Sequence, residues 1–223
     1  MNRTILVILT LVVVGGSFAA AAWLISDSRT AMTGTPPGPA STLAADGLVQ
    51  QHSPTLGRAD APVTIVEFFD PACEACRAFH PVVKRILAEN PETVRVVMRY
   101  TPFHGEGSEI AIAALEAARE QDLFEPVLEA LLDRQREWAS HDAPASSRIL
   151  EIAAEAGLDR EQAQLVMRSP ETIGIINRDR ADVETFKIRG TPTFFVNGAR
   201  LTQFSPEGLN RAVERAISKA SGS

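Results

Sequence analysis

The sequence predicts an α/β fold in which a β-α-β half and a β-β-α half flank a block of helices. Three observations carry this. The apolar runs VTIVEFF (63–69) and VRVVMRY (94–100) are separated by a 24-residue crossover, the spacing of two parallel strands joined by a helix. Helical periodicity then persists from about residue 105 to 187. Near the C-terminus, Asn197-Gly198 joins TFFV to ARLT, a strong signal for a tight hairpin.

The chain of 223 residues opens on an apolar segment. From Ile5 to Ile25, ILVILTLVVVGGSFAAAAWLI carries no charge and is long enough to cross a bilayer as a helix. Arg3 precedes it while Asp27, Arg29 and Asp46 follow, which directs the rest of the chain out of the cytoplasm. Residues 1–25 are thus expected to be an uncleaved membrane anchor, or a signal peptide with Ile5 to Val14 as its apolar core and Ala20 to Ala22 near the cut. Both readings imply export. Residues 26–50 are rich in Ser, Thr, Pro, Gly and Ala and read as a linker stiffened by Pro36-Pro37-Gly38-Pro39.

The folded domain is expected over 51–220. Its first strand, Val63 to Phe69, is a nearly continuous β-branched and aromatic run, as for a strand buried on both faces. Asp70-Pro71 ends it, and a helix starts near Cys73 and runs to about Glu89, with Pro81 inside it. After the second strand, EIAIAALEAARE and LFEPVLEALLDRQ have amphipathic spacing. Ser169-Pro170-Glu171 and Ser205-Pro206-Glu207 each supply a cap, a first-turn proline and an acid, marking helix starts.

Composition narrows the function. The formal net charge is −6 and there is no basic stripe, so a nucleic-acid partner is not expected. The only two cysteines stand three apart, in FFDPACEACRAFHP. Export makes a Cys73–Cys76 disulfide able to persist. Such a small loop is a poor staple, because loop-entropy stabilisation falls with loop length. Haem attachment needs histidine directly after the second cysteine, where Arg77 stands. A soft-metal site of Cys73, Cys76 and His80 lacks an obvious fourth ligand. CxxC beside a βαβ pattern reads as a redox motif, with the soft-metal site as its alternative: at a strand-to-helix junction, open N–H groups and the helix dipole favour the Cys73 thiolate, the attacking species.

The chain resembles the thioredoxin superfamily, and within it the exported DsbA-like disulfide oxidoreductases. The likeness is carried by VEFFDPACEAC with Glu67 six residues before Cys73, by Pro81 five residues after Cys76, by Gly190-Thr191-Pro192-Thr193 opening a strand, and by the helical block between the two halves. Gly57 to Pro62, GRADAP, is similar to many DsbA-like chains. The resemblance covers roughly 51–220 and implies a thioredoxin-like fold. It also implies roles: Cys73 as nucleophile, Cys76 as resolving thiol, Glu67 as a buried proton shuttle, and Thr191 with a cis Pro192 as the substrate-docking loop. Two departures bear on direction. Glu74-Ala75 separates the cysteines without proline or histidine, and Thr191, rather than valine, precedes the proline, as in disulfide isomerases of the superfamily.

The expected function is an extracytoplasmic thiol:disulfide oxidoreductase acting on cysteine-containing exported proteins. It would need no separate cofactor and no metal, would be recycled by a membrane redox partner, and would work as a monomer held to the membrane by its N-terminal segment. The alternatives are a reductase or isomerase of the same fold and a thiol-based copper-binding protein. His104, in TPFHGEG, reads as a solvated loop histidine; His52 and His141 carry no expected role. Trp138 and Phe124 read as packing, and Glu109, Glu116, Glu120 and Glu129 as solvated helix faces.

Overall fold

A computed structural model describes residues 47–139 and 146–222. The predicted anchor over 1–25, most of the linker, and His141 lie outside the described residues. The elements in chain order are β1 (Thr55–Gly57), β2 (Val63–Phe69), α1 (Glu74–Glu89), β3 (Val94–Tyr100), α2 (Glu106–Glu120), α3 (Phe124–Asp133), α4 (Ser146–Glu155), α5 (Arg160–Met167), α6 (Pro170–Thr185), β4 (Thr193–Val196), β5 (Ala199–Arg200) and α7 (Pro206–Ser221). A 3-10 turn, Gln135–Glu137, follows α3.

The sheet order is β1-β3-β2-β4-β5, which makes β2 the central strand. β2 runs parallel to β3, from Val63 opposite Val94 to Phe69 opposite Tyr100. It runs antiparallel to β4, with Glu67 opposite Phe194 and Phe68 opposite Thr193. Every residue of β2 is buried. Its side chains alternate between two apolar layers, as strand geometry requires. Val63, Ile65 and Phe69 enter the larger core with α1 and the helical block. Val66 and Phe68 enter a smaller one with Val97, Val183, Ile188 and Phe195. Glu67 shares the parity of Ile65 and Phe69 and so faces the layer that holds α1.

The helical block is built around α2, whose residues from Ala111 to Ala118 are all buried. Alanine at five of those eight positions lets neighbouring helices approach closely. Trp138 is fully buried, with its indole N–H donating to the Leu131 carbonyl at 2.8 Å. Both serine start signals are realised: Ser169 accepts from the Thr172 N–H and Ser205 from the Gly208 N–H. Asn197 and Gly198 both take positive φ, 45° and 82°, as a primed two-residue turn requires. The strand after them is shorter than the sequence predicts, only Ala199–Arg200.

Three expectations are corrected. β1, not foreseen, pairs antiparallel with β3; Gly57 ends it at φ 86°, where a Cβ would lie 2.8 Å from the Val94 carbonyl oxygen. Leu48, assigned to the linker by composition, is buried, and Arg99 holds the carbonyls of Gly47 and Leu48 at 3.0 and 2.7 Å. Glu116 is not a solvated acid: it is 1% exposed, accepts a 2.6 Å hydrogen bond from the Tyr100 hydroxyl and pairs with Arg119. Glu109 and Glu129 instead form partly exposed ion pairs with Arg180 and Lys84.

A buried polar cluster fastens α6 to the sheet. Arg99 is fully buried and donates to Asp179 at 3.0 Å and to Asp182. Asp179 also accepts from the Tyr100 N–H at 2.7 Å and contacts His52 at 2.9 Å. Removing one member of a buried pair strands the other charge, at a cost of about 3–5 kcal/mol. Asp179→Ala is therefore expected to lower unfolding stability by about that amount in urea titrations, and Asp179→Ala combined with Arg99→Met by clearly less than the sum of the single losses.

Candidate active site

The site begins where β2 ends. Asp70 turns the chain: its carbonyl accepts the Cys73 N–H at 3.1 Å and its Oδ1 accepts the Ala72 N–H at 2.9 Å. Cys73 is the N-cap of α1, with φ −76° and ψ 122°, and no side chain caps the helix there. The open N–H groups of the first turn are thereby left to the Cys73 sulfur.

Strand register brings the second half of the site to the first. Because Phe68 pairs with Thr193, the residues just before β4 lie beside the end of β2. The Cys73 Sγ is 3.2 Å from the Thr191 carbonyl oxygen, across 118 positions of sequence. The Thr191–Pro192 peptide bond is cis. Cys73, Cys76, Thr191 and Pro192 are thus brought to one end of the sheet.

Both cysteines are free thiols. Cys73 keeps 6% exposure and Cys76 none, so an incoming thiolate has access to Cys73 first. Their acidities diverge. A hydrogen bond from the Cys76 thiol, with others from the Thr191 side chain and the N–H groups of Cys76 and Ala75, lowers the Cys73 pKa to about 5 against the opposing effect of burial. Burial drives the Cys76 thiol far above its ordinary value, reinforced by its bond to Cys73 and by the charges of Glu67 and Cys73. One sulfur is a thiolate at neutral pH and its neighbour holds a proton.

Glu67 is 3% exposed in the middle of β2, and burial followed by the Cys73 charge raises its pKa to about 8. It therefore carries a proton at pH 7 and can release it near physiological pH. Glu74 faces solvent, so water screens its charge from the sulfur. Among the described residues no three His, Cys, Asp or Glu side chains converge as a metal site, and His80 buries an Nε2 without a partner.

Two supports of the site escape sequence reasoning. Asp70 is fully buried; its Oδ2 accepts from the Phe103 and His104 N–H groups at 2.8 and 3.1 Å and meets His104 Nδ1 at 2.7 Å. His104, expected to be a solvated loop residue, is thus tied to the loop that carries Cys73. The signal for Asp70 was present: an aspartate whose side chain binds the N–H two residues on is a common turn former. Gln135, at 1% exposure, donates its side-chain amide to the carbonyls of Pro71 at 2.7 Å and Cys73 at 3.0 Å. Nothing in the local sequence marks it.

Residues 50–215 match the family model described as Thioredoxin. The chain belongs to the thioredoxin family. A thioredoxin-like oxidoreductase from Silicibacter pomeroyi is 36% identical, with a TM-score of 0.66 over 76% of this chain and 94% of that one. A probable disulfide bond formation protein D from Bacillus anthracis is 28% identical over 176 residues, covering 74% of this chain and 78% of the relative. The structure of alpha-DsbA1 from Wolbachia pipientis shares the fold, with a TM-score of 0.70 at 17% identity over 78% of this chain and 96% of that one. The family member described here is thus DsbA-like in architecture, helical block included. The chain also matches a Na(+)/H(+) antiporter NhaA from Herminiimonas arsenicoxydans, 35% identical over 145 residues, covering 65% of this chain but only 22% of the relative.

Titration of the reduced protein checks the asymmetry of the thiols. Iodoacetamide is expected to label Cys73 with a rate that rises with pH through a midpoint near 5 and levels off by about pH 7. Cys76 should stay unlabelled over the same range while the protein is folded, as read by peptide mapping.

Proposed function

We propose that this protein is an extracytoplasmic thiol:disulfide oxidoreductase that exchanges disulfides with exported, cysteine-containing proteins. The observation that carries the reading is the Cys73 sulfur at the mouth of α1, 3.2 Å from the carbonyl that precedes a cis proline. The name of the relative from Bacillus anthracis and that of the solved oxidoreductase support it.

The chemistry runs in two exchanges. Starting from the Cys73–Cys76 disulfide, a substrate thiolate attacks the Cys73 sulfur, a mixed disulfide forms, and Cys76 leaves with the electron pair of the broken S–S bond. Its thiolate is disfavoured in the core, and Glu67, protonated at pH 7, supplies the proton that neutralises it. A second thiolate of the substrate then attacks the substrate sulfur of the mixed disulfide. Cys73 departs as a thiolate, a good leaving group because its pKa is about 5. The substrate is oxidised by two electrons and the cysteine pair reduced by two. A membrane partner that accepts those two electrons resets the pair, and the apolar segment at 5–25 keeps the domain near it.

Thr191 and Pro192 contribute the docking edge. An extended substrate segment beside the mixed disulfide can pair with the backbone of Thr191 in the manner of an added strand. Because only the reduced form holds the Cys73 thiolate, its stabilisation favours reduction of the pair and hence oxidation of the substrate. This direction distinguishes a disulfide donor from a reductase or isomerase, and the protein recovered from its own compartment is expected to be oxidised.

Cys73→Ser is expected to abolish disulfide exchange with a reduced, unfolded substrate. Cys76→Ser should instead trap substrate on Cys73 as a mixed disulfide visible on non-reducing gels. Retained exchange in Cys73→Ser would overturn the assignment. Glu67→Gln removes the proton donor and acceptor beside Cys76, and should slow exchange by about 10²–10³-fold while Cys73 alkylation stays fast.

A further inference from the structure

The loop between β2 and α1 is gripped from two sides. Asp70 takes the Ala72 N–H from within the loop. From outside it, the Gln135 amide takes the carbonyls on either side of Ala72, those of Pro71 and Cys73. Pro71 has no N–H of its own, so the loop is short of a donor just where it must be rigid. A primary amide carries two N–H groups in one plane, which suits it to two carbonyls two residues apart.

Gln135 is itself firmly placed. Its backbone carbonyl accepts the N–H groups of Trp138 and Ala139 at 3.2 and 2.8 Å, and Trp138 is fully buried. The side chain therefore projects from a rigid turn at the end of α3, across 62 and 64 positions of sequence. The Cys73 carbonyl it binds also accepts the Arg77 N–H at 3.1 Å, the first hydrogen bond of α1. Holding that carbonyl holds the dihedrals of Cys73, and with them the direction of the N–H groups of Ala75 and Cys76 relative to the sulfur.

We infer that Gln135 is a positioning residue of the redox centre: the helical block reaches through it to aim the first turn of α1 at the Cys73 sulfur. This rests on the reading of Cys73 as the attacking sulfur. It gives the block a part in the chemistry beyond filling the core. Gln135 touches no substrate and moves no proton; it acts through the loop that it holds.

Gln135→Leu keeps comparable bulk and removes both donors. In the reduced variant the alkylation midpoint of Cys73 is expected to rise by about one pH unit, a tenfold loss of thiolate below the midpoint. The same tenfold loss should make the Cys73–Cys76 couple about 30 mV more reducing in equilibration with glutathione. A purely structural glutamine would lower thermal stability and leave both readouts where they were, and that result would overturn the inference. A variant too unstable to fold is replaced by the wild-type protein in solution. There the Gln135 side-chain amide resonances are expected to exchange slowly with solvent and to shift between the reduced and oxidised forms. Fast exchange with no shift would overturn the inference equally. Neither readout requires catalysis, so exchange activity surviving in Cys73→Ser would remove the functional reading without mimicking either failure.

Discussion

The site depends on a helix that starts with its first backbone N–H groups unclaimed and a sulfur at their focus. An uncapped N-terminus is normally a cost, since each orphan donor wants an acceptor. Cys73 occupies the cap position without a side-chain hydrogen bond to the helix, so the sulfur becomes the acceptor when it carries charge. That arrangement constrains much around it. β2 must end at Phe69, the turn must close within Asp70 to Ala72, and β4 must lie beside β2 in a register that brings the Thr191 carbonyl to the sulfur.

The chemical asymmetry of two identical side chains follows from how fully each is enclosed and what hydrogen-bonds to it. Cys73 lies at the edge, where hydrogen bonds outweigh burial; Cys76, one turn on, is wholly enclosed, and burial dominates. Glu67 shares that enclosed layer, because the period of a strand puts it on the α1 side of β2. A carboxyl that gives up its proton only near pH 8 is matched to a neighbouring thiol that resists ionisation. The same burial therefore keeps the proton on the Cys76 thiol and on the Glu67 carboxyl at neutral pH.

The helical block is joined to the sheet by polar as well as apolar contacts. Arg99, buried at the far end of β3, binds two aspartates of α6 and two carbonyls from the start of the domain. Glu116 of α2 meets the Tyr100 hydroxyl at the end of the same strand. Gln135 reaches the loop beyond β2. These links lie where strands end and loops begin, and the two cysteines follow one such end, that of β2.

Local signals were enough for much of this. The β-branched run of β2, the Asn197-Gly198 turn and the Ser-Pro-Glu starts of α6 and α7 are written in neighbouring residues, because turn, cap and strand preferences act over a few positions. The cysteine spacing was legible in the same way, and the resemblance pointed to Glu67 and Thr191-Pro192, of which Thr191 lies against the Cys73 sulfur. Sequence had no access to β1, whose three residues find a partner only once β3 is formed, nor to the burial of Glu116 and Arg99, whose partners lie 16 and 80 positions away. Nor could it show that His104, exposed as expected, meets Asp70, which reaches it only when the ends of β2 and β3 are side by side. Which residues could react was decided by neighbours along the chain; how acidic each became, and what held it, was decided by contacts between segments that only folding brings together.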